Sequence, residues 1–302
     1  MKLEFFFNLI RWKNLLLIIY VFFLLKFFFF HSFYVETTLS SLQFIILLFS
    51  VLFITAAGYI INDIFDIKAD EINKPNKVIV SKNISIEQAK HWYKITNTIG
   101  IILGIMLCLS ISKPTHSFIF IGTALLLYYY SKILKGKPLI GNLIVSILIA
   151  FSVVILPVFD INFSIKNNPQ NTAITVIIVL AFFAFILNLI REIIKDIEDI
   201  NGDKSLNLKT LPIISGRNRA QIIASYLCLI PICLLFFLVY NYSRNYKFPM
   251  LYLLLSTLIP LLVVAIKLRS AEKKSEFHKL SSLLKIIMFL GITILLIISF
   301  KK

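Results

Sequence analysis

The chain has 302 residues, of which 59% are hydrophobic and only 15% are charged. This composition excludes an ordinary soluble globular domain and indicates an integral membrane protein. The net charge of +16 does not call for a nucleic-acid partner. A cytoplasmic excess of Lys and Arg facing anionic lipid headgroups accounts for a charge of this sign.

Apolar runs long enough to cross a hydrocarbon core of about 30 Å recur along the whole sequence. We predict membrane-spanning helices over residues 11–33, 41–63, 88–112, 116–134, 138–158, 172–194, 219–240, 249–268 and 280–300. Lys26 lies inside the first run and is expected to extend its ammonium group to the nearby interface. The predicted fold is an all-α integral membrane protein with nine transmembrane helices in one bundle, forming a single domain over 1–302.

Basic residues are distributed unequally between the two ends of these helices. The N-terminus and the 2–3, 4–5, 6–7 and 8–9 connections, with their flanks, hold 24 of the 31 Lys and Arg residues. The opposite connections and the C-terminus hold six. Because Lys and Arg accumulate on the cytoplasmic side, we predict a multi-pass protein of the cell inner (cytoplasmic) membrane with its N-terminus in the cytoplasm.

A weak internal duplication relates two parts of the sequence. Asp66 and Asp70 follow the second helix, Asp199 and Asp203 follow the sixth, and both pairs are offset by 133 residues. Two pseudo-repeated four-helix halves in parallel orientation, plus a ninth helix, would put these acidic residues on one face of the membrane. According to the distribution of basic residues, that face is the cytoplasmic one.

The first acidic segment, residues 58–77, reads GYIINDIFDIKADEINKPNK. Asn62, Asp66 and Asp70 are four residues apart and therefore share one face of a helix. Like charges in this arrangement repel each other by about 0.2–0.5 kcal/mol per pair in an isolated helix. The spacing therefore favours a cation bound between the side chains.

The second acidic segment, residues 191–204, reads REIIKDIEDINGDK and again puts three aspartates, Asp196, Asp199 and Asp203, on one face. The two segments hold nine of the fifteen acidic residues. Oxygen ligands without thiols or imidazoles select hard divalent cations, above all Mg²⁺, which usually joins one or two carboxylates to a substrate phosphate. Nearby basic residues suit a diphosphate: Lys77, Lys132, Lys135, Lys204 and Lys209. The alternative is a solvated helix end whose acids pair with neighbouring Lys and Arg.

The first acidic segment resembles the aspartate motif of the UbiA superfamily of intramembrane prenyltransferases. The family pattern N-D-x-x-D-x-x-x-D is present as Asn62, Asp63, Asp66 and Asp70. The INKPNK stretch that follows is similar to the family's I-N-x-P-x-R, with Lys77 in place of arginine. The resemblance implies the family's fold of nine helices.

Further matches extend the resemblance over the whole chain. They are the second aspartate motif at Asp196, Asp199 and Asp203, a Y-x-x-x-K match at Tyr128 and Lys132, its continuation at Gly141 and Asn142, and an Arg/Asn pair at Arg11 and Asn14. Within the superfamily, NDIFDIKADEINKP and REIIKDIEDINGDKSLNLKTLPIISG look most like the digeranylgeranylglyceryl phosphate synthase branch.

The resemblance implies a Mg²⁺-dependent prenyltransferase that moves a polyprenyl group from an allylic diphosphate to a lipophilic acceptor, best matched by a geranylgeranylglycerol-phosphate lipid. The implied catalytic residues are Asp66, Asp70, Tyr128, Asp196 and Asp199. The implied metal ligands are Asn62, Asp66, Asp70, Asp196, Asp199 and Asp203. The implied diphosphate contacts are Asn14, Asn62, Lys77, Lys132 and Lys204. The implied partners are the two substrates and the lipid bilayer, with no nucleic acid and no obligatory protein partner.

Alternatives remain at this stage. The acceptor is alternatively an aromatic ring of quinone or tetrapyrrole biosynthesis. Acidic residues in multispan proteins also mark the ion pathways of cation-coupled transporters, although transporters bind near the bilayer midplane and not at helix ends. Tyr128 either steadies an allylic cation, positions the acceptor, or is an interfacial aromatic. Asn14 either contacts diphosphate or caps and packs the first helix.

Overall fold

The computed structural model describes residues 3–163 and 168–300, apart from the side chains of Leu3 and Lys77. Within these residues, nine helices are long and apolar enough to cross a membrane. They are α1 (Trp12–Ser32), α2 (Ser41–Phe65), α3 (Ile86–Ser110), α4 (Pro114–Leu134), α5 (Ile140–Asp160), α6 (Asn168–Glu198), α7 (Arg217–Tyr242), α8 (Lys247–Ser270) and α9 (Lys274–Ser299). Short helices lie at Leu3–Leu9, Ile67–Asn73, Ile200–Ser205 and Leu211–Ser215.

The predicted spans are confirmed in number and position over the described residues. Helices α6 and α9 extend furthest beyond the predicted spans: α6 has 31 residues and includes part of the second acidic segment, and α9 begins at Lys274 and not at residue 280. Hydropathy locates only the apolar part of a helix, whereas the polar turns at its ends continue the same backbone hydrogen bonding. The starts of α2 and α3 follow from capping boxes, in which Ser40 and Ser85 accept hydrogen bonds from the backbone N–H groups of Gln43 and Gln88.

One compact unit comprises the chain up to Phe22, together with Thr38–Lys137 and Asn201–Leu208. In this unit α2 packs against both α3 and α4. Ser50 Oγ donates a hydrogen bond of 2.7 Å to the carbonyl oxygen of Gly100 on α3. A Cβ atom at Gly100 would lie 2.7 Å from the Ile54 side chain, so glycine is what permits α2 and α3 to approach this closely.

A second compact unit comprises Phe23–Thr37, Pro138–Ile200 and the chain from Lys209 onward. In this unit α6 packs against α5 and α9, and its core contains fully buried aliphatic residues of α6, α8 and α9. Helices α5 to α9 therefore belong to one unit. The predicted repeat of two four-helix halves plus a ninth helix stays a prediction.

Lys26 forms an ion pair with a fully buried carboxylate, and the prediction that its ammonium extends to the interface stays a prediction. Its Nζ lies 2.8 Å and 3.0 Å from the two carboxylate oxygens of Asp160, whose side chain is fully buried at the end of α5. A buried carboxylate needs a partner because desolvation strongly disfavours an isolated charge. The two residues are 134 positions apart, so no local pattern indicates their contact.

We expect Asp160→Ala to destabilise the protein by about 3–5 kcal/mol, because it leaves the Lys26 ammonium buried without its partner. Replacing both charges, as in Lys26→Met with Asp160→Leu, should recover most of this loss. Thermal unfolding in detergent, with exposed Glu87→Ala on α3 as the control, measures the effect. A double variant as unstable as Asp160→Ala alone would contradict this explanation.

Candidate active site

The two acidic segments have the same local backbone architecture. In the first, α2 ends at Phe65, Asp66 interrupts the helix, and a short helix follows over Ile67–Asn73. In the second, α6 ends at Glu198, Asp199 interrupts the helix, and a short helix follows over Ile200–Ser205. Each break therefore puts an aspartate at the point where a long apolar helix gives way to polar chain.

The interruption at Asp66 does not disturb the four-residue spacing that the sequence predicts. The Asp66 N–H donates to the carbonyl oxygen of Asn62 (2.9 Å), and the Asp70 N–H donates to that of Asp66 (2.8 Å). The i to i+4 hydrogen bonds of a helix thus continue through the break. As predicted, Asn62, Asp66 and Asp70 lie on one side of the chain.

A lysine supplies the cation that this spacing favours. The Nζ atom of Lys135 forms an ion pair with Oδ2 of Asp66. The same oxygen accepts a hydrogen bond of 2.6 Å from the side-chain amide of Asn62. Lys135 follows directly after α4. The sequence indicates it only as one of several basic residues near the acidic segments.

The electrostatics of this group follow from burial and from its neighbours. Burial raises the pKa of Asp70, and the nearby Asp66 carboxylate raises it further, while Lys135 and Lys74 oppose the shift. Burial is the largest single effect and would lower the pKa of Lys135, but Asp66, Tyr130 and Asp70 together outweigh it, and the pKa of Lys135 is raised. Lys135 is therefore held in its charged form beside two carboxyl groups.

Arg11 and Asn14 connect the start of α1 to α2. Arg11 forms a salt bridge of 2.9 Å with Asp63, and its guanidinium lies 4.8 Å from the centre of the Tyr59 ring. Asn14 Nδ2 donates to the Tyr59 hydroxyl at 3.2 Å. Asp63 of the family motif is thus paired with Arg11. Asn14, predicted to contact diphosphate, contacts Tyr59, which precedes Asp66 by seven residues on α2.

Tyr128 lies among aromatic side chains beside the first acidic segment. Its ring centre is 6.0 Å from that of Phe65, which directly precedes Asp66, and 6.5 Å from that of Tyr93. The Lys132 ammonium lies 5.7 Å from the centre of the Tyr128 ring. Of the two lysines near the end of α4, Lys132 therefore contacts the aromatic ring, while Lys135 contacts the carboxylate.

Asp196 of the second acidic segment is held by a side chain of α5. Asn142 is buried, and its Nδ2 donates a hydrogen bond of 2.8 Å to Asp196 Oδ2. The carbonyl oxygen of Asn142 accepts from Ser146 Oγ (2.6 Å), which in turn accepts from Asn188 Nδ2 (3.3 Å). This buried polar chain fixes the orientation of one predicted metal ligand.

Two other acids of the second segment have structural roles. Glu192 pairs with Arg191 at 2.8 Å and with Lys195 at 2.9 Å. Glu198 lies 3.1 Å from Nδ1 of His278, at the start of α9. Both carboxylates are thus paired, but they are buried and not solvated, and the partner of Glu198 is a histidine.

The end of the second segment belongs to the same unit as the first acidic segment. The Gly202 N–H donates a hydrogen bond of 2.9 Å to Oδ1 of Asn73, the last residue of the short helix after Asp66. Asp203, the next residue, is buried, whereas Lys204 is exposed. The side chain of Lys77 lies outside the described residues. Sequence reasoning missed Asn73, for which the only signal was its place in the INKPNK motif.

Comparison with known proteins identifies the family. Residues 20–292 of this chain match the UbiA prenyltransferase family. The chain belongs to this family. It is a multi-pass membrane prenyltransferase, and the enzyme interpretation is confirmed over the transporter alternative.

The prenyltransferase is similar to a protein of Methanosphaera stadtmanae named digeranylgeranylglyceryl phosphate synthase, with 34% identity over 78% of this chain and 80% of the relative. It also resembles a solved structure described as digeranylgeranylglyceryl phosphate synthase in membranes, with a TM-score of 0.59, 26% identity and coverage of 100% and 99%. A UbiA homologue from Archaeoglobus fulgidus bound to DMAPP and Mg²⁺ shares the fold, with a TM-score of 0.56, 17% identity and coverage of 95% and 98%.

The donor atoms of the prenyltransferase fit a hard divalent cation. Among the described residues, no three His, Cys, Asp or Glu side chains form a ready-made metal site. The groups that accompany Asp66 are an amide and an ammonium, without thiol or imidazole. Mg²⁺ commonly takes one or two carboxylates and completes its shell with water and substrate phosphate. Isolated aspartates at helix ends suit a cation bound in this way.

Proposed function

We propose that the protein transfers a polyprenyl group from an allylic diphosphate to a geranylgeranylglycerol-phosphate-type lipid, in a Mg²⁺-dependent reaction. The observation that carries the reaction is the recurrence of one architecture, an aspartate at the break between a long apolar helix and a short polar one, at Asp66 and Asp199. The choice of acceptor is supported by the relative that is 34% identical, which is named digeranylgeranylglyceryl phosphate synthase.

Both acidic segments serve one donor diphosphate in this proposal. Asp66, Asp70, Asp196 and Asp199 hold the metal, and Asn62 and Asp203 assist. Bound Mg²⁺ supplies positive charge that neutralises the departing diphosphate. The Asn142 amide keeps Asp196 oriented for this task, because a ligand whose rotamer is fixed by a hydrogen bond needs little reorganisation when it binds.

Basic residues add fixed positive charge for the diphosphate oxygens. We assign this role to Lys77, Lys132 and Lys204, with Asn14 as a further polar contact. Lys135 neutralises Asp66 before substrate arrives, so Mg²⁺ would have to compete with its ammonium for this carboxylate. The allylic C–O bond then breaks, and its electron pair leaves with the diphosphate.

Tyr128 and its aromatic neighbours suit the cationic carbon that remains. An aromatic face attracts a cation and excludes water, which would otherwise consume the reactive carbon. Tyr128, with Phe65 and Tyr93 close by, offers such a surface beside Asp66. The acceptor hydroxyl oxygen forms the new C–O bond and releases its proton.

The proposal extends to the compartment and orientation of the protein. We propose one UbiA-like domain over 1–302 in the cytoplasmic membrane, with both acidic segments on the cytoplasmic side, where soluble diphosphates are available. The bias of 24 basic residues against six supports this orientation. No obligatory protein partner or nucleic acid enters the proposal.

We expect Asp66→Asn and Asp199→Asn each to lower prenyl transfer at least about tenfold, equivalent to 1.4 kcal/mol of transition-state stabilisation. Because both residues serve one diphosphate, the double variant should lose much less than the product of the two single effects. Radiolabelled geranylgeranyl diphosphate and a panel of lipid and aromatic acceptors measure the rates. Exposed Glu71→Gln, in the first segment, is the charge-matched control.

A variant that kept more than about a tenth of wild-type turnover would exclude that aspartate as a principal metal ligand. If the activity loss of the double variant equalled the product of the two single losses, the two segments would be independent sites. Transfer to an aromatic ring in preference to the glycerol-phosphate lipid would replace the proposed acceptor while leaving the reaction class intact.

The orientation is tested by single cysteines in a background without Cys108, Cys228 and Cys233. Cysteines at the exposed positions Asn76 and Asn207 should resist an impermeant thiol reagent added outside intact cells, and one at Lys113 should react. Permeabilised cells provide the control, since all three should then be labelled. Labelling of Asn76 or Asn207 positions from outside would reverse the orientation.

Removing the Lys135 charge should strengthen metal binding to the donor-free protein, because the ammonium competes with the metal for Asp66. We expect Lys135→Gln to tighten Mn²⁺ binding by about threefold, since a partly exposed ion pair is worth about 0.2–1 kcal/mol. Isothermal titration calorimetry measures the affinity, with the exposed neighbour Lys137→Gln as the control. Unchanged or weaker binding in Lys135→Gln would show that Lys135 does not compete.

A further inference from the structure

We propose that Asn73 is a positioning residue that holds residues 201–208, which include Asp203, against the first acidic segment, and that Gly202 is required for this contact. The proposal deepens the proposed function, on which it rests, because it assigns the contact that holds Asp203 next to the first acidic segment. Neither residue belongs to the predicted metal ligands or diphosphate contacts.

The contact satisfies a backbone donor that has no partner within its own helix. Gly202 lies in the first turn of the short helix Ile200–Ser205, where backbone N–H groups lack intrahelical acceptors. The Asn73 side chain supplies the acceptor, with Oδ1 at 2.9 Å from the Gly202 nitrogen. Both residues are buried, so loss of the acceptor would leave a desolvated N–H group unsatisfied, which is costly.

Only glycine fits at position 202. A Cβ atom there would lie 2.4 Å from Nδ2, 2.6 Å from Cγ and 2.7 Å from Oδ1 of Asn73. These separations are far below van der Waals contact, so any larger residue would push the Asn73 side chain away. The requirement for glycine thus comes from the approach of Asn73 to the backbone, and not from an unusual dihedral angle at Gly202.

The contact couples two aspartates through short, rigid pieces of chain. Asn73 ends the short helix that contains Asp70, and the Lys74 N–H bonds to the Asp70 carbonyl oxygen at 2.8 Å. On the other side, Gly202 directly precedes Asp203. A displacement at the contact would therefore move Asp203 relative to Asp70.

A second contact holds the same segment at its other end. A Cβ atom at Gly136 would lie 2.9 Å from Cδ2 of Leu208, which shows that the leucine side chain packs directly on the Gly136 backbone. Gly136 follows Lys135, the partner of Asp66. Residues 201–208 are thus fixed at one end beside Asp70 and at the other beside the lysine that neutralises Asp66.

The experiment compares Asn73→Ala, Gly202→Ala and the double variant in the full-length protein reconstituted in lipid. We expect Asn73→Ala to lower kcat/KM for the prenyl donor about tenfold, mostly through KM. Gly202→Ala should be at least as damaging, because it both breaks the hydrogen bond and creates the clash. In the double variant the clash is absent, so it should be no worse than Asn73→Ala alone.

Two matched controls lie in the same unit. Asn76→Ala removes an exposed asparagine three residues further along the chain. Gly122→Ala adds a Cβ atom on α4 that meets nothing within 4 Å. Both should retain wild-type kinetics and wild-type thermal unfolding.

Limited trypsin digestion in detergent provides a readout that does not depend on activity. Cleavage after exposed Lys204, measured by mass spectrometry relative to cleavage after exposed Lys82, should accelerate in Asn73→Ala and Gly202→Ala. The wild-type protein and both controls should be cut slowly at Lys204. Asn73→Asp, which keeps an oxygen acceptor, should restore slow cleavage.

The outcomes separate this inference from the proposed function. A wild-type protein without prenyl transfer would refute the proposed function, while the trypsin result would still decide whether Asn73 holds the segment. An active wild type with unchanged cleavage in Asn73→Ala would overturn the inference. Faster cleavage with unchanged kcat/KM would also overturn the inference, because the contact would then be structural only. Independent effects of the two substitutions in the double variant would overturn it as well.

Discussion

Carboxylates at the ends of apolar helices must be neutralised, and this requirement shapes the structure around them. Where water is scarce, an ionised carboxylate without a partner is strongly disfavoured. The protein meets the requirement differently at different places. Asp160 has the ammonium of Lys26, Asp63 has Arg11 and Glu192 has two basic neighbours. In these pairs the basic side chains already neutralise the carboxylates, so an added cation would gain little by binding there.

The aspartates of the two motifs include members with contacts of other kinds. Asp196 has a neutral amide from Asn142, which orients the carboxylate without cancelling its charge. Asp66 has a full cation, but that cation is a lysine at the end of a flexible side chain. The pKa of Asp70 is raised because burial and the Asp66 carboxylate both disfavour its charge. These groups gain most from an added divalent cation, and for this reason they are the ones we assign to the metal.

The sequence was sufficient to predict the membrane-spanning helices and to select the acidic residues of the candidate site. The membrane-spanning helices could be predicted because a run of about twenty apolar residues is typical of a transmembrane helix. The helical hydrogen bonds that link Asn62, Asp66 and Asp70 agree with their predicted four-residue spacing. The contacts between distant residues could not be predicted. Lys26 with Asp160 and Asn73 with Gly202 are separated by 134 and 129 positions, and neither pair has a periodicity that reveals its partner.

The choice between Lys132 and Lys135 shows how a small backbone feature changes a functional assignment. The Y-x-x-x-K spacing assumes a regular α-helix, in which Tyr128 and Lys132 share a face. They do share it, with the ammonium near the ring. However, α4 ends in a π-helical turn over Tyr130–Leu134, and the Lys135 N–H bonds to the carbonyl oxygen five residues back at Tyr130. A π-turn rotates the residues that follow it relative to the α-helical register, and such turns are frequent at functional sites. Lys135 is the residue displaced in this way and also the one that contacts Asp66, so a motif written for a regular helix points to the neighbouring lysine.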